Sequence, residues 1–311
     1  MGIGDNRDSS VPTSTNHVSE DFLRKECVEK VKGWIRTCVN SHPKCSLVTN
    51  AKLPTRVINI GVGDIFNNIF LHEPDKTTDE SEYVALSHSW GGAQPLTTTL
   101  TTIESRKAGI QWLDLPKTFQ DAVQITRALG YRYLWIDSLC IIQDSEEDWQ
   151  KEGARMALTY GESALTIVAS ESLNSQSGFI SKRQVHNLFY TDEGGIKTQV
   201  QVRKPCRHSG YWYNTLPNEM FPTAPIYLRA WCFQERLLPP RTLHFLSNEV
   251  IFECNTHCAC ECGLADTFEG MQLLKSTYAR SFEAVRQNKS TWKSPDPSQP
   301  NRSIANVATH I

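Results

Sequence analysis

No stretch of the sequence approaches about eighteen consecutive apolar residues, the length a membrane-spanning helix needs, and this excludes an ordinary spanning helix. The opening MGIGDNRDSSVPTSTNHVSE lacks the apolar centre of a secretory signal, and the residues after Gly2 make no more than a weak myristoylation match. An excess of charge of one sign is missing too. Lys and Arg number 32 against 34 Asp and Glu, and there is no long basic run. That removes the electrostatic footprint of a protein that binds nucleic acid or an anionic membrane, so neither partner is expected; with no signal-like start and no spanning run, the expected location is cytoplasmic, or nuclear by diffusion. No internal repeat is visible.

Apolar residues make up 39% of a chain of 311, enough to fill the core of one large domain or two small ones. The ten cysteines sit in a large chain without an export signal, which favours reduced thiols, or metal ligands for some of them, over a disulfide framework.

Residues 1–20 are polar and rich in Ser, Thr and Asn, the composition of a disordered tail. From Phe22, the apolar positions Leu23, Val28, Val31, Trp34, Ile35 and Cys38 recur at helical spacing, predicting an amphipathic helix that ends near Asn40 before His42-Pro43. Tyr83–Ser87 reads as a buried strand entering a loop. Thr118 with Asp121 reads as a helix cap, Phe119 to Leu129 as one helical face, and Gly130 as its stop. Tyr133–Asp137 is apolar on both faces, as a central parallel strand requires. Ser145 with Asp148 repeats the capping pattern. Trp149, Gly153, Met156 and Tyr160 share the next helical face, where Gly153 is expected to let the helix approach the sheet, and Leu165–Ala169 is another strand.

These units predict an α/β fold with a mainly parallel central sheet flanked by helices. Residues 21–56 are expected to form an N-terminal helical extension, 57–265 the main domain and 266–311 a helix, over roughly 268–287, with a polar tail. Within the main domain, 172–225 is expected to be an irregular insertion. Leu243–Leu246 and Val250–Phe252 flank Ser247-Asn248-Glu249 as a β-hairpin.

Three segments together resemble the fungal heterokaryon incompatibility (HET) domain family: YVALSHSWGG at 83–92, LPKTFQDAVQITRALGYRYLWIDSLCIIQDSEEDW at 115–149 with its continuation to TIVAS, and RAWCFQERLLPPR at 229–241. The stretch with Trp34, Cys38, His42, Cys45 and Leu53-Pro54-Thr55-Arg56 also looks like what precedes that domain. The same segments look like a TIR domain, which implies a TIR/flavodoxin-like sheet. Trp231-Cys232-Phe233-Gln234-Glu235 is similar to the Trp-Cys-x-x-Glu segment whose glutamate is catalytic in NAD-cleaving TIR domains.

The resemblance implies an NAD⁺ hydrolase acting in fungal non-self recognition and programmed cell death, with Glu235 as the catalytic carboxylate. NAD⁺ enters as substrate, and no cofactor or metal is expected. Cleaving the nicotinamide–ribose bond passes through an oxocarbenium-like state that a carboxylate can stabilise, while nicotinamide leaves as a neutral amide. Trp90 and Trp231 offer ring faces to the cationic nicotinamide or to adenine. Ser87, His88 and Ser89 leave the carboxyl end of a parallel strand, and Asp137 ends another, where open α/β sheets bind ligands. Each has a structural alternative: Glu235 could pair with Arg236 or Arg241, the tryptophans could be core, His88 could be a satisfied loop histidine and Asp137 could cap a turn.

A non-catalytic adaptor that self-associates through a TIR-like surface, downstream of a receptor-type protein, is the second functional reading. A Cys140/His88/Asp137 acyl-transfer enzyme ranks last, because no nucleophile elbow or oxyanion-hole motif is present and Cys140 suits apolar packing better. Cys38-x3-His42-x2-Cys45 and Cys254-x3-Cys258-x-Cys260-x-Cys262 contain enough thiolate and imidazole for one tetrahedral Zn²⁺, for example with two ligands from each cluster. Neither spacing matches the common CxxC pairs, so free thiols are the default.

Overall fold

Short runs that are mostly apolar on both faces become strands where both faces of the sheet are covered, and the centre of this fold is built from three such runs. In a computed structural model, the described residues are 16, 18–45, 52–61, 69–75, 81–92, 95–191, 194–203, 226, 230–263 and 275. The three runs are β3 (Tyr83–Ser87), β4 (Tyr133–Trp135) and β5 (Leu165–Val168), and each is buried along its whole length. Val84 aligns with Leu134 on one side and with Leu165 on the other, both in parallel register. A fourth parallel strand, β8 (Arg241–Phe245), pairs with β5.

Antiparallel strands extend both edges: β1 (Val57–Asn59) and β2 (Phe70–His72) beyond β4, and β9 (Val250–Cys254) and β10 (Cys258–Cys260) beyond β8. The order across the sheet is β10-β9-β8-β5-β3-β4-β1-β2. From β3 the chain steps to β4 on one side, then crosses back over β3 to β5 and on to β8. Right-handed crossovers therefore place the connecting helices on opposite faces. The contacts agree. α3 (Lys117–Leu129) lies with α1 (Lys25–Ser41), which also touches β9, whereas α5 (Glu146–Gly161) lies with α6 (Ala230–Leu237), which touches β3 and β5. Trp135 meets Tyr160 of α5 edge-on at 5.4 Å beneath that second layer. Among the described residues there are also two short helices, α2 (Ile103–Ala108) and α4 (Asp137–Cys140), the latter against β1.

The expected hairpin at 243–252 is β8–β9, with Phe245 opposite Val250. Gly130 ends α3 in the left-handed conformation, φ 96°, where a side chain would be strained. Ser145 caps α5 by accepting from Asp148 N at 3.3 Å.

Other expectations need correction. Thr118 does not cap α3, which begins at Lys117; its hydroxyl instead donates to Asn174 O at 3.1 Å and accepts from Gly178 N. The Asp121 carboxylate accepts from Phe179 N and Ile180 N at 2.8 and 3.0 Å. Both side chains thus hold the segment after β5 onto α3. Asp137 opens α4 rather than closing β4. Within the expected irregular insertion, β6 (Val185–Thr191) and β7 (Lys197–Arg203) form a regular two-stranded hairpin of their own. Gly153 does not press on the sheet, since nothing lies within 4 Å of the place a Cβ would occupy. Part of the expected tail is packed: Val18 is buried, and Asn16 N donates to Cys262 O at 2.9 Å. Of the helix expected over 268–287, all but Lys275 lies outside the described residues. No described helix is long and apolar enough to cross a membrane.

Candidate functional site

The strand order reverses direction between β3 and β5, so the loops leaving their carboxyl ends diverge to opposite faces and leave a crevice between them. Ser87 is the last residue of β3, and its hydroxyl donates to Glu235 Oε2 at 2.5 Å. Glu235 belongs to the last turn of α6 and is 6% exposed. The carboxylate therefore stands where the sheet topology concentrates ligand sites.

Glu235 forms one wall of a cleft of about 240 Å³, close to the lower end of small-molecule sites. His88, Trp90 and Asp137 line it with Glu235, and Gln143, Trp149, Gly153 and Met156 close the other side. Trp90 Nε1 donates to Asp137 Oδ2 at 2.9 Å, while Asp137 Oδ1 accepts from Ser138 N at 2.7 Å. One carboxylate thereby fixes the indole and its own turn together. Gln143 is held by the carbonyls of Asp137 and Ile141. His88 stands edge-on to Phe119 of α3 at 5.1 Å.

The loop after β3 is packed closely against the Leu173-Asn174 segment. At Gly91, φ 74°, an added Cβ would fall 2.3 Å from Asn174 Cβ and 3.1 Å from the Leu173 carbonyl. Only glycine fits that approach. Beneath the cleft, Tyr160 donates to Leu86 O at 3.2 Å, and burial, reinforced by nearby carboxylates including Glu235, pushes its phenol well above the ordinary range. Tyr160 is thus a neutral hydrogen-bonding post and not a base.

Of the residues the sequence singled out, His88, Trp90, Asp137 and Glu235 share the cleft, and Ser87 touches it through Glu235. Ser89 is buried but is not part of the lining. The Trp231 side chain lies outside the described residues. The arginines weighed as structural partners of Glu235 make other bonds: Arg236 donates to Glu253 at 3.0 Å, and Arg241 to the Ala164 and Cys45 carbonyls. Cys140 is fully buried and desolvation pushes its thiol up to about 12, which makes it a poor nucleophile at neutral pH.

Sequence reasoning missed the α5 wall. The helical spacing predicts Trp149 on a packed face, yet it is 55% exposed. Its presence on one face with a glycine was the available signal. Among the described residues, the two groups with metal-ligand geometry, Cys38/His42/Cys45/Cys254 and Glu249/Cys260/Cys262, contain no cleft residue.

A family model described as Heterokaryon incompatibility protein (HET) matches residues 83–235, a span that begins at the first residue of β3 and ends at the cleft glutamate. No curated protein and no solved structure matches the chain.

Proposed function

We propose that this chain, matched by the HET family model over residues 83–235, is a heterokaryon incompatibility protein and a TIR-like enzyme that hydrolyses the nicotinamide–ribose bond of NAD⁺ in a fungal non-self or cell-death response. The observation that carries the reading is the Glu235 carboxylate, anchored by Ser87 at the topological switch of a parallel sheet and lining an aromatic cleft. Ionisation of NAD⁺ sends the bonding pair to the pyridinium nitrogen and leaves positive charge on the ribose C1′. A fixed anion beside that carbon stabilises the charge without reorganising. Water then adds to C1′ and gives up a proton, so the products are nicotinamide, ADP-ribose and H⁺. Trp149, exposed on the cleft wall, and Trp90 supply ring faces for the cationic nicotinamide. Asp137 keeps Trp90 in place.

One observation favours the adaptor reading instead. The β6–β7 hairpin exposes Leu188, Phe189, Tyr190 and Ile196, by 56%, 74%, 60% and 65%. Such a surface suits self-association. The decisive experiment incubates the purified full chain with NAD⁺ and follows nicotinamide release. Turnover that disappears in a folded Glu235→Ala variant supports the enzyme, whereas no turnover at concentrations where the protein assembles leaves the adaptor.

A further inference from the structure

Away from the cleft, and outside the span matched by the family model, four side chains of metal-ligating chemistry meet. Cys38 lies in the last turn of α1, His42 follows that helix directly, Cys45 closes the short 3-10 turn Pro43–Cys45, and Cys254 is the last residue of β9. Their ligand atoms all lie within 4.8 Å of one another. His42 Nδ1 and Cys254 Sγ, separated by 212 residues of sequence, are 3.4 Å apart. A tetrahedral zinc with legs of about 2.3 Å to sulfur and about 2.0–2.1 Å to nitrogen has edges of roughly 3.5–3.8 Å. The four atoms therefore need only small movements to share one centre.

The surroundings suit thiolates. Cys254 Sγ accepts from Thr256 N at 3.4 Å and from His257 N at 3.1 Å, donors supplied by the tight turn between β9 and β10. Thr256 Oγ1 lies 3.6 Å from Cys45 Sγ. Such outer contacts orient ligands and stabilise their charged form. Three thiolates and an imidazole around Zn²⁺ carry a net charge of −1, and the Arg241 guanidinium stands beside them, donating to Cys45 O at 2.9 Å. Cys38, Cys45 and Cys254 are all buried, which suits a closed structural site more than one open to substrate. Three thiols could instead form one disulfide and leave one over, but that arrangement gives the converging imidazole nothing to do.

We propose that Cys38, His42, Cys45 and Cys254 bind one structural Zn²⁺ that ties the N-terminal helix to the β9–β10 end of the sheet. The sequence suggested two ligands from each cluster; the geometry points to three from the first and one from the second. The proposal is independent of what the cleft does.

The test uses the full chain, expressed with zinc supplementation and purified without chelator, with bound metals measured by elemental mass spectrometry. About one zinc per chain is expected, falling below about 0.2 in Cys254→Ser and His42→Ala and staying near one in the Cys260→Ser/Cys262→Ser double variant, which disables the neighbouring Glu249/Cys260/Cys262 group. Cobalt exchanged into the full chain should give a thiolate charge-transfer band and the intense visible bands of a tetrahedral ion. If Cys254→Ser fails to fold, Cys254→His keeps four ligands and should retain the metal with a weaker charge-transfer band. The proposal is overturned by zinc-supplemented protein that holds no metal, by zinc and a cobalt spectrum unchanged in Cys254→Ser, or by metal lost only in the Cys260/Cys262 variant.

Discussion

Ser87 and Glu235, 148 residues apart in sequence, are joined by a hydrogen bond of 2.5 Å between a strand end and a helix. That bond fixes where a negative charge sits in the cleft, so charge and shape can be separated by mutation. Glu235→Gln keeps an oxygen able to accept from Ser87 and removes the charge. Nicotinamide release should fall by about 10² to 10⁴ with an unchanged melting temperature, the size of preorganised electrostatic terms. Ser87→Ala should lose less, because the charge remains and only its orientation loosens. Equal turnover by wild type and Glu235→Gln would remove Glu235 from the chemistry.

Gly153 separates binding from stability. A Cβ there meets open space, and the position lies inside α5 on the cleft wall. Gly153→Leu should therefore raise stability slightly, by up to roughly 1 kcal/mol, since glycine is the poorest ordinary residue in a helix interior. The same side chain fills the cleft, so KM for NAD⁺ should rise at least tenfold. Denaturant melts and initial rates on one preparation measure both.

Arg56 is 5% exposed, donates to the Cys140 carbonyl at 2.7 Å and pairs with both oxygens of Asp148, which also accepts from Ile142 N at 2.8 Å. It joins the segment before β1 to the end of α4 and to the first turn of α5, two elements that line the cleft. Arg56→Met leaves a part-buried carboxylate without its partner and should cost about 3–5 kcal/mol. The Arg56→Met/Asp148→Leu double variant should recover part of that in urea titrations.

Acid should weaken the fold through a buried triad on β8, β9 and α6. Glu253 accepts from Arg236 and from His244 Nε2, each at 3.0 Å. Burial lowers the His244 pKa to about 4 despite its carboxylate neighbour, so the folded imidazole stays neutral. Burial alone would raise the Glu253 pKa, but Arg236, His244 and Lys275 outweigh it and hold the carboxyl well below its ordinary range. Both shifts act in one direction. Between the ordinary histidine value near 6.5 and about 4, the unfolded chain takes up a proton at His244 that the folded one refuses, so stability falls with pH by on the order of 3 kcal/mol. Below the ordinary glutamate value near 4.5, Glu253 adds a second loss. Urea midpoints from pH 7.5 to 4.5 should decline, and His244→Gln should flatten the upper part of that slope. A flat wild-type profile would contradict the buried neutral imidazole.

The strands β3, β4 and β5 were legible because short runs dominated by apolar residues on both faces, set between helical patterns, mark buried strands. Their order across the sheet was not, since it follows from crossover handedness and not from any residue. The Thr118/Asp121 pattern misled because tertiary partners, Asn174 and the Phe179–Ile180 amides, took the oxygens that a local cap would have used. The β6–β7 hairpin was invisible for the opposite reason: almost every described β6 position is exposed, so no burial period is written into it. In the candidate site, the loop after β3 and Glu235 could be picked out by resemblance, while the α5 wall could not, because a glycine and an exposed tryptophan look the same in a packed face and in an open one. The metal-ligand set divides between segments 212 residues apart, a pairing that only the folded chain reveals.

The placement of β8 and β1 sets a limit on how small a working piece of this protein can be. The matched span, 83–235, contains β3, β4 and β5 but neither of the strands that pair with their outer sides. Trimmed to that span, the sheet would present the bare backbone of β5 along Thr166–Val168 and of β4 along Tyr133–Leu134, flanked by side chains that are buried in the whole chain. Exposed apolar edges of this kind recruit further strands. A minimal fragment should accumulate as insoluble aggregate where the longer chain does not, so the boundaries of the recognisable motif are not the boundaries of the folding unit.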